Sequence, residues 1–262
     1  MDTSNFALVT GASSGIGREL AKQFAQHGFD LIVAAEDELD GTVAELQSLG
    51  ARVEAVRVDL AAPDGVEELW RRVQETGRRL DAAALNAGVG AGGAFVEIDL
   101  EKQLNVVDLN CRSTVHLAYL VLRDMVARNR GRVLFTSSIA STMPGSFQAV
   151  YNASKSFDQS LALALRNELK DTDVTITSLM PGPTDTEFFE RADMLDTKIG
   201  AGDKDDPEDV ARLGFEALMD GKERVVAASL STKLQGRGSR LLPDSVKAEL
   251  HRQMAEPGSA RS

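Results

Sequence analysis

Short runs of apolar residues alternate along the chain with longer segments in which apolar residues recur every three or four positions. The short runs have the length and composition of buried β-strands. They cover residues 6–9, 31–35, 53–58, 82–86, 132–137, 174–180 and 224–228. The sequence therefore predicts seven strands, each separated from the next by one or more helices.

The segments between the strands carry the helical spacing. Ile16, Leu20 and Phe24 form one such pattern, and others begin at Val66 and Leu109. Glycines follow three of the helical segments, where a left-handed stop residue is expected: Gly28, Gly50 and Gly131. Strand–helix alternation of this kind predicts an α/β fold with one doubly wound parallel sheet of about seven strands and helices on both faces.

The overall charge excludes one class of partner. With 40 acidic and 29 basic residues the net charge is -11, and no concentrated Lys/Arg patch is present to bind nucleic acid. Cys111 is the only cysteine and the three histidines lie far apart, so we expect no disulfide and no metal site. Because the first predicted strand begins at Phe6, we expect no secretory leader before it. No apolar run approaches the length of about 18 residues that a membrane-spanning helix needs. We expect a cytoplasmic protein without stable membrane association.

A glycine-rich segment, TGASSGIG at residues 10–17, joins the first strand to the first helix. Gly11, Gly15 and Gly17 permit a tight turn and let backbone N–H groups approach a pyrophosphate at the helix N-terminus. The spacing differs from the usual G-x-G-x-x-G, and many glycine-rich turns are ordinary loops. The position between strand and helix favours a dinucleotide-binding loop.

A second motif, YNASK, places Tyr151 and Lys155 four residues apart at the start of a helical segment. Residues at this spacing share a helix face, so the phenol and the ammonium can be neighbours. We expect the positive charge to lower the pKa of Tyr151 from about 10 toward neutrality, which would make the phenol a general acid or base. The same spacing is common on helices that carry no site.

Other polar residues fall where a ligand site is expected. Ser138 and Asn86 follow strands, at the carboxyl edge where open α/β sheets bind ligands. Ser138 can hydrogen-bond the oxygen on which Tyr151 acts, or it can satisfy only local backbone. The segment NAG that begins at Asn86 also fits a simple turn. Asn110 lies in an apolar helical pattern, where an amide is costly unless it is hydrogen-bonded, to backbone or to a water.

The order of these motifs resembles the short-chain dehydrogenase/reductase family in its single-domain form. The resemblance covers residues 6 to about 228 and includes TGASSGIG, Asp59-Leu60, NAG, Asn110, Ser138, YNASK and the segment PGPTDT at residues 181–186. It implies a Rossmann-type fold and an NAD(P)-dependent oxidoreductase that acts on CH–OH and C=O groups. The partner it implies is a small-molecule carbonyl or alcohol substrate.

The resemblance also implies roles for matching residues. Tyr151 would exchange the proton, Ser138 would orient the substrate oxygen, and Lys155 would lower the pKa of the tyrosine and bind the nicotinamide ribose. Asn110 would anchor a water that links Lys155 to solvent. The cofactor-binding residues expected are Gly11, Ser13, Ser14, Gly15, Ile16, Gly17, Glu36, Asp59, Leu60, Asn86, Ala87, Gly88, Tyr151, Lys155, Pro181, Gly182, Thr184 and Thr186.

Acidic residues follow the second strand in the segment AAEDELDG, residues 34–41. The end of this strand is where such a fold meets the adenosine ribose, and relatives that take NADP tend to carry a basic residue here or in the glycine loop. Glu36, assisted by Asp37, can instead accept a hydrogen bond from a free 2′-hydroxyl. We therefore expect NAD to be preferred over NADP, although residues 36–40 also fit the solvated start of a helix.

The last 34 residues depart from the family pattern. From Ser229 onward the chain has six basic and three acidic residues, an excess too small for a membrane-binding patch. We expect residues 1–228 to form a single catalytic domain, and residues 229–262 to form an extension that packs on the cleft or on the subunit interface of a homodimer or homotetramer.

The substrate class is suggested by apolar residues near the predicted site. Met143, Phe147, Phe188 and Phe189 fit an apolar ketone or secondary alcohol, although each can also belong to the core. The alternative function is that of a catalytically weak NAD(P)-binding sensor or scaffold. Such a protein should lack one member of the Ser/Tyr/Lys set, and all three are present.

Overall fold

A seven-stranded parallel sheet forms the centre of the protein, whose computed structural model describes residues 4–227 and 242–261. The strand order is β3-β2-β1-β4-β5-β6-β7. The strands are β1 (Asn5–Thr10), β2 (Phe29–Ala35), β3 (Val53–Arg57), β4 (Ala82–Leu85), β5 (Gly131–Thr136), β6 (Val174–Pro181) and β7 (Arg224–Ala227). The predicted fold class and all seven strands are confirmed.

Helices connect the strands and cover both faces of the sheet. They are α1 (Gly15–Gln26), α2 (Asp40–Ser48), α3 (Pro63–Glu75), α4 (Leu100–Val107), α5 (Thr114–Ala127), α6 (Ala149–Glu168), α7 (Phe188–Arg191), α8 (Lys198–Ala201), α9 (Pro207–Met219) and α10 (Asp244–Ala255). A π-helical segment, Asp108–Ser113, joins α4 to α5, and 3₁₀ turns occupy Ile139–Thr142 and Ser259–Arg261.

Two hydrophobic cores, one on each face, hold the helices to the sheet. On one face α1, α2 and α9 pack on the central strands, and Phe24 meets the rings of Phe29 and Phe215 edge to face with centroids 5.1 Å apart in each pair. On the other face α3, α5 and α6 pack through residues such as Leu69 and Met125. Strand β2 is buried along its whole length, which explains why the sequence shows an apolar run instead of an alternating pattern.

The prediction that a glycine ends the helix is wrong for one of the three glycines. Gly28 and Gly50 have positive φ angles of +77° and +92°, as predicted. Gly131 instead begins β5, and a Cβ there would collide with the side chain of Met125. Asn129 takes the left-handed conformation after α5, with φ +50°. Asparagine tolerates that conformation better than most residues, so the left-handed residue after the helix lies two positions before the glycine.

The strand order opens a crevice at one edge of the sheet. Strand β1 lies between β2 and β4, so the chain winds outward from this point in both directions. Connections that leave neighbouring strands toward opposite faces separate at the carboxyl edge and leave room for a ligand. The glycine-rich segment follows β1 at this edge, and the segment NAG follows β4.

The C-terminal extension lies partly outside the described residues, which omit 228–241. Helix α10 follows, and it contacts the loop before α6: Ser146 Oγ donates to the Ala248 carbonyl over 2.9 Å, and His251 Nδ1 donates to the Ser146 carbonyl over 2.8 Å. The division of the chain at residue 228 stays a prediction. In the described parts of the chain, no helix combines the length and apolar character needed to span a membrane, and the cytoplasmic location also stays a prediction.

Candidate active site

A cleft of about 1070 Å³ opens at the carboxyl edge of the sheet. Ligand pockets typically measure about 300–1,000 Å³, so this cleft has room for a dinucleotide together with a substrate. It is lined by the glycine-rich segment, the ends of β2 and β3, the NAG segment, the YNASK residues and the segment after β6. The structure therefore brings every predicted site residue except Asn110 to the wall of one cleft.

The glycine-rich segment has a geometry that only glycine provides. Gly11 and Gly15 have positive φ angles of +67° and +54°. A Cβ on Gly17 would collide with the Gly11 carbonyl oxygen and with the Asn86 amide, and a Cβ on Gly15 would lie 2.9 Å from Thr186 Cγ2. The loop thus stays open to the cleft at the N-terminus of α1, whose first-turn N–H groups suit an anion. These residues fit a pyrophosphate.

Asn86 has a structural task in addition to its place in the cleft wall. Its side-chain Nδ2 donates to the Thr10 carbonyl over 3.1 Å, and its Oδ1 accepts from Thr136 Oγ1 over 3.0 Å. Thr10 Oγ1 in turn accepts from the backbone N–H groups of Asn86 and Ala87 over 2.9 and 3.1 Å. These bonds join the carboxyl ends of β1, β4 and β5. The NAG segment therefore does more than form a simple turn.

Ser138, Tyr151 and Lys155 converge on the cleft from β5 and α6. Ser138 is buried and follows β5, where its Oγ accepts from the Ala140 N–H over 3.1 Å and begins the 3₁₀ turn. This bond uses an oxygen lone pair and leaves the hydroxyl hydrogen for another acceptor. Tyr151 lies half-buried in the first turn of α6, with Lys155 one turn later.

The pKa of Tyr151 differs from the sequence-based expectation. Burial raises the pKa of the phenol above its usual value, whereas the charge of Lys155 and hydrogen bonding to Ser138 lower it without reversing the shift. The Asp158 carboxylate adds a smaller increase. The expectation that the pKa of Tyr151 is lowered is therefore wrong, because sequence spacing reveals the lysine but neither the burial nor the acid.

Lys155 is held by two buried acceptors. Its Nζ donates to the Thr136 carbonyl over 2.8 Å and to Asp158 Oδ2 over 3.0 Å. A Cβ on Gly88 would lie 3.3 Å from Nζ, so the absence of a side chain there lets the NAG segment pass close to the ammonium. Burial lowers the pKa of Lys155, but Asp158, Tyr151 and Cys111 together offset this, with Asp158 foremost, so the pKa of the ammonium lies above its usual value.

Asn110 lies behind the cleft wall, in the π-helical segment. Its Oδ1 accepts from the Val89 N–H and its Nδ2 donates to the Val89 carbonyl, each over 2.9 Å, and Nδ2 also bonds Ser154 Oγ. These three bonds use both Nδ2 hydrogens and one of the two Oδ1 lone pairs. The water that Asn110 would anchor stays a prediction.

Acidic groups and one arginine surround the predicted adenosine end. Glu36 and Asp37 line the cleft where β2 ends, and Asp59 Oδ1 accepts from the Ala61 N–H over 2.8 Å. Arg191 of α7 reaches across the mouth of the cleft and pairs with Asp37 over 2.7 Å. Sequence reasoning missed Arg191, because 154 residues separate it from Asp37.

The opposite end of the cleft is mainly apolar. Met143, Phe188 and Phe189 line it as predicted, and the rings of Tyr151 and Phe188 lie with centroids 5.0 Å apart. Phe147 does not line this cleft; it takes a strained φ of +63° and contributes to a small neighbouring cavity of about 20 Å³. Residues from α8, and from α10 in the extension that was expected to pack on the cleft or on a subunit interface, complete the wall: Lys198, Lys247, Leu250, His251 and Met254.

Within residues 4–227 and 242–261, no three His, Cys, Asp or Glu side chains lie close enough together to hold a metal ion. The geometry of the cleft suits proton exchange beside a bound dinucleotide. A family profile described as short chain dehydrogenase matches residues 5–194. The chain belongs to the short-chain dehydrogenase family. It is an NAD(P)-dependent oxidoreductase that acts on CH–OH or C=O groups.

Individual relatives support this assignment at the level of sequence and fold. The 1-deoxy-11-beta-hydroxypentalenate dehydrogenase of Streptomyces exfoliatus is 35% identical over 222 residues, which are 81% of this chain and 78% of that protein. A short-chain dehydrogenase/reductase from Burkholderia phymatum in complex with NAD has 26% identity and a TM-score of 0.84, with 97% of each chain covered. A short-chain dehydrogenase from Sphingobium yanoikuyae in complex with NADPH has 26% identity and a TM-score of 0.80, covering 91% of this chain and 96% of that one.

Two alanine substitutions test the glycine-rich segment. Gly17→Ala should weaken NADH binding at least about tenfold and destabilise the fold by about 1–3 kcal/mol, because the new methyl group has no room. Gly41→Ala is the control: its Cβ would meet open space in α2, so binding should stay unchanged and stability should rise by up to about 1 kcal/mol. Fluorescence titration with NADH and urea unfolding measure both. Equal NADH affinity in the two variants would contradict the role of Gly17.

Proposed function

We propose that this enzyme transfers a hydride between NAD and an apolar ketone or secondary alcohol, with Tyr151 exchanging the proton at the reacting oxygen. The observation that carries the proposal is the convergence of Ser138, Tyr151 and Lys155 in the same cleft as the glycine-rich segment. A hydroxyl, a phenol and an ammonium thereby share one site with a loop whose shape suits a pyrophosphate.

The residues divide the work at the reacting oxygen. The nicotinamide cofactor supplies or accepts the hydride when bound. In the reductive direction the Tyr151 phenol donates its proton to the carbonyl oxygen, and in the oxidative direction the phenolate removes the hydroxyl proton. Ser138 donates its hydroxyl hydrogen to the same oxygen and orients it. Lys155 stabilises the phenolate and donates to the ribose of the cofactor.

The substrate class follows from the lining of the free end of the cleft. Met143, Phe188 and Phe189 line this end, and the ring of Phe188 packs on the ring of Tyr151 with centroids 5.0 Å apart. Lys247 lines this end but donates to Asp244 over 3.0 Å, so its charge is already partnered, whereas Lys198 lies exposed. The immediate surroundings of the reacting oxygen therefore favour an apolar ketone or secondary alcohol.

The preference for NAD is supported by charge at the adenosine end. Arg191 neutralises part of the charge on Asp37, whereas Glu36 has no side-chain partner among the residues that the structure describes. A 2′-phosphate about 4 Å from this carboxylate would cost about 4 kcal/mol per charge pair at an effective dielectric constant of about 20. Solvent at this exposed edge reduces the cost to about 1–3 kcal/mol, which corresponds to a bias of about 5- to 150-fold.

The C-terminal extension covers the substrate end of the cleft in the proposed enzyme. Helix α10 is anchored to the loop before α6 through Ser146, and Ala255 belongs to a small apolar cluster with Phe189 and Met194. The Gly258 N–H donates to Asp196 Oδ2 over 2.8 Å and fastens the end of the extension beside α8. Leu250 and Met254 thus face the cleft from a helix held at several points.

A homo-oligomer is the state that the surface favours. Exposed apolar side chains recur along α4, α5 and α6 at Leu100, Leu104, Val107, Val115 and Phe157, which are 40–64% exposed. A helical surface of this kind is costly in water and is typical of protein–protein contacts. A second copy of the chain would cover it by two-fold symmetry, because an isologous interface requires only one apolar patch per subunit.

Tyr151→Phe tests the proton role. Turnover of a responsive ketone should fall by about 10²–10⁴-fold, because the ring stays in place while the proton donor is lost. The cofactor dissociation constant should change little, since the phenol acts on the substrate oxygen. Tyr119→Phe removes the other phenol, which is exposed on α5, and should leave the rate unchanged. The measurement is NADH consumption over a panel of ketones, and a Tyr151→Phe rate above about a tenth of wild type contradicts the assignment.

Charge reversal at Glu36 tests the choice of cofactor. Wild-type kcat/KM should favour NADH over NADPH, and the double variant Glu36→Arg, Asp37→Ser should favour NADPH. The change adds a bidentate phosphate ligand and releases Arg191 from Asp37. Glu38→Arg is the matched control, because Glu38 pairs with Arg57 and does not line the cleft. A wild-type preference for NADPH, or an unmoved ratio in the double variant, would refute the assignment.

Removal of residues 242–262 tests the role of the extension. The truncated enzyme should keep the mass of the full-length oligomer in light scattering, because the proposed contact lies on α4, α5 and α6. It should show a higher KM for apolar ketones, since Leu250 and Met254 would no longer enclose them. A truncated protein with wild-type KM across the panel would show that the extension does not serve the cleft, and a halved mass would assign it to a subunit contact instead.

A further inference from the structure

A buried acid lies behind Lys155 and takes no part in the mechanism described above. Asp158 follows Lys155 by three residues on α6, and its Oδ2 lies 3.0 Å from Lys155 Nζ. The side chains are 6% and 4% exposed for Lys155 and Asp158, respectively, whereas a pair such as Arg71 and Glu68 is 52% and 43% exposed. This ion pair is therefore shielded from solvent and acts at close range on the reaction site.

Stability alone does not account for an aspartate here. A buried carboxylate costs several kcal/mol unless all of its lone pairs are satisfied, and an apolar residue of similar volume is often more stable. Asp158 Oδ1 is buried and has no hydrogen-bond partner among the residues that the structure describes. The carboxylate is thus retained in a half-satisfied state, and its one polar contact is with the ammonium beside Tyr151.

The charges that meet at this point come from two elements. Helix α6 provides Tyr151, Lys155 and Asp158, while the π-helical segment provides Cys111, whose pKa burial raises to about 11. Cys111 therefore stays a neutral thiol through the neutral range. The remaining charges are one ammonium and one carboxylate, and they act on Tyr151 in opposite directions. Strand β5 contributes only the neutral Thr136 carbonyl.

We propose that Asp158 is a positioning residue of the proposed reaction, which holds the Lys155 ammonium against the Thr136 carbonyl and balances its charge beside Tyr151. This role rests on the proposed function, and it means that Asp158 affects the pH range in which the enzyme is active. A carboxylate stabilises the protonated form of every nearby group, so the pKa values of Lys155 and Tyr151 are both higher with Asp158 present. The Thr136 carbonyl still accepts from the Lys155 ammonium over 2.8 Å when the Asp158 charge is removed. With the ammonium kept in this way, removal of the charge should lower both pKa values.

A tyrosine titration tests this inference without any substrate. The chain has two tyrosines, so the Tyr119→Phe background leaves Tyr151 as the only phenol. In that background, phenolate absorbance is followed against pH, with circular dichroism recorded alongside to establish that the protein stays folded. Asp158→Asn should lower the titration midpoint by about one pH unit. Asp158→Glu restores the charge and should return the midpoint toward that of the parent.

A matched control separates local from global charge. Asp209→Asn removes the same formal charge from the exposed start of α9 and should leave the midpoint in place. An Asp158→Asn midpoint that is unchanged or higher overturns the inference. Asp158→Leu, which fills the site with an apolar side chain, serves the same titration if Asp158→Asn does not fold. Failure of both variants to fold would show that the acid is required for folding and would also overturn the inference.

Activity measurements then connect the titration to the reaction. In the oxidative direction the rising limb of kcat/KM against pH reports the pKa of the base in the free enzyme, and it should move to lower pH in Asp158→Asn in parallel with the titration. A shifted titration without turnover of any alcohol or ketone would contradict the proposed reaction but leave the role of Asp158 intact. A shifted titration with an unmoved rate profile would overturn the link to catalysis.

Discussion

A chain of hydrogen bonds between strand ends is the interaction on which the site depends. Thr10 at the end of β1 holds Asn86 at the end of β4, and the Asn86 side chain holds Thr136 at the end of β5. The Thr136 carbonyl then accepts from Lys155 on α6. Because these residues lie in or directly after buried strands or in a long helix, the glycine-rich segment and Lys155 keep a defined separation, as the proposed hydride transfer between two bound molecules requires.

The electrostatics of the site follow from this burial. A lysine enclosed by protein would tend to lose its proton, and a tyrosine in the same place would hold its proton too strongly. The carbonyl of Thr136 and the carboxylate of Asp158 counter the first tendency, while the ammonium and the Ser138 hydroxyl counter the second in part. The pKa values of Tyr151 and Lys155 thus depend on Asp158 and Ser138 as well as on each other.

Distant segments complete the cleft at both ends. Arg191 meets Asp37 at the adenosine end, and α10 meets the loop before α6 at the substrate end. Both contacts join segments that are mainly exposed or irregular to the rigid sheet, which is where differences in specificity usually arise among proteins of one fold. The proposed function therefore assigns cofactor choice and substrate choice to opposite ends of one cleft.

The seven strands, the parallel doubly wound sheet, the family and the set of residues at the cleft could be predicted from the sequence, because these depend on local periodicity and on motifs a few residues long. For the C-terminal extension the sequence left two positions open, the cleft or a subunit interface, and α10 lines the cleft. The pKa direction of Tyr151, the coupling of Asp158 to Lys155, the place of Phe147 and the approach of Arg191 to Asp37 could not be predicted. Each of these depends on burial or on contact between segments far apart in the chain, and both arise from packing of the whole fold.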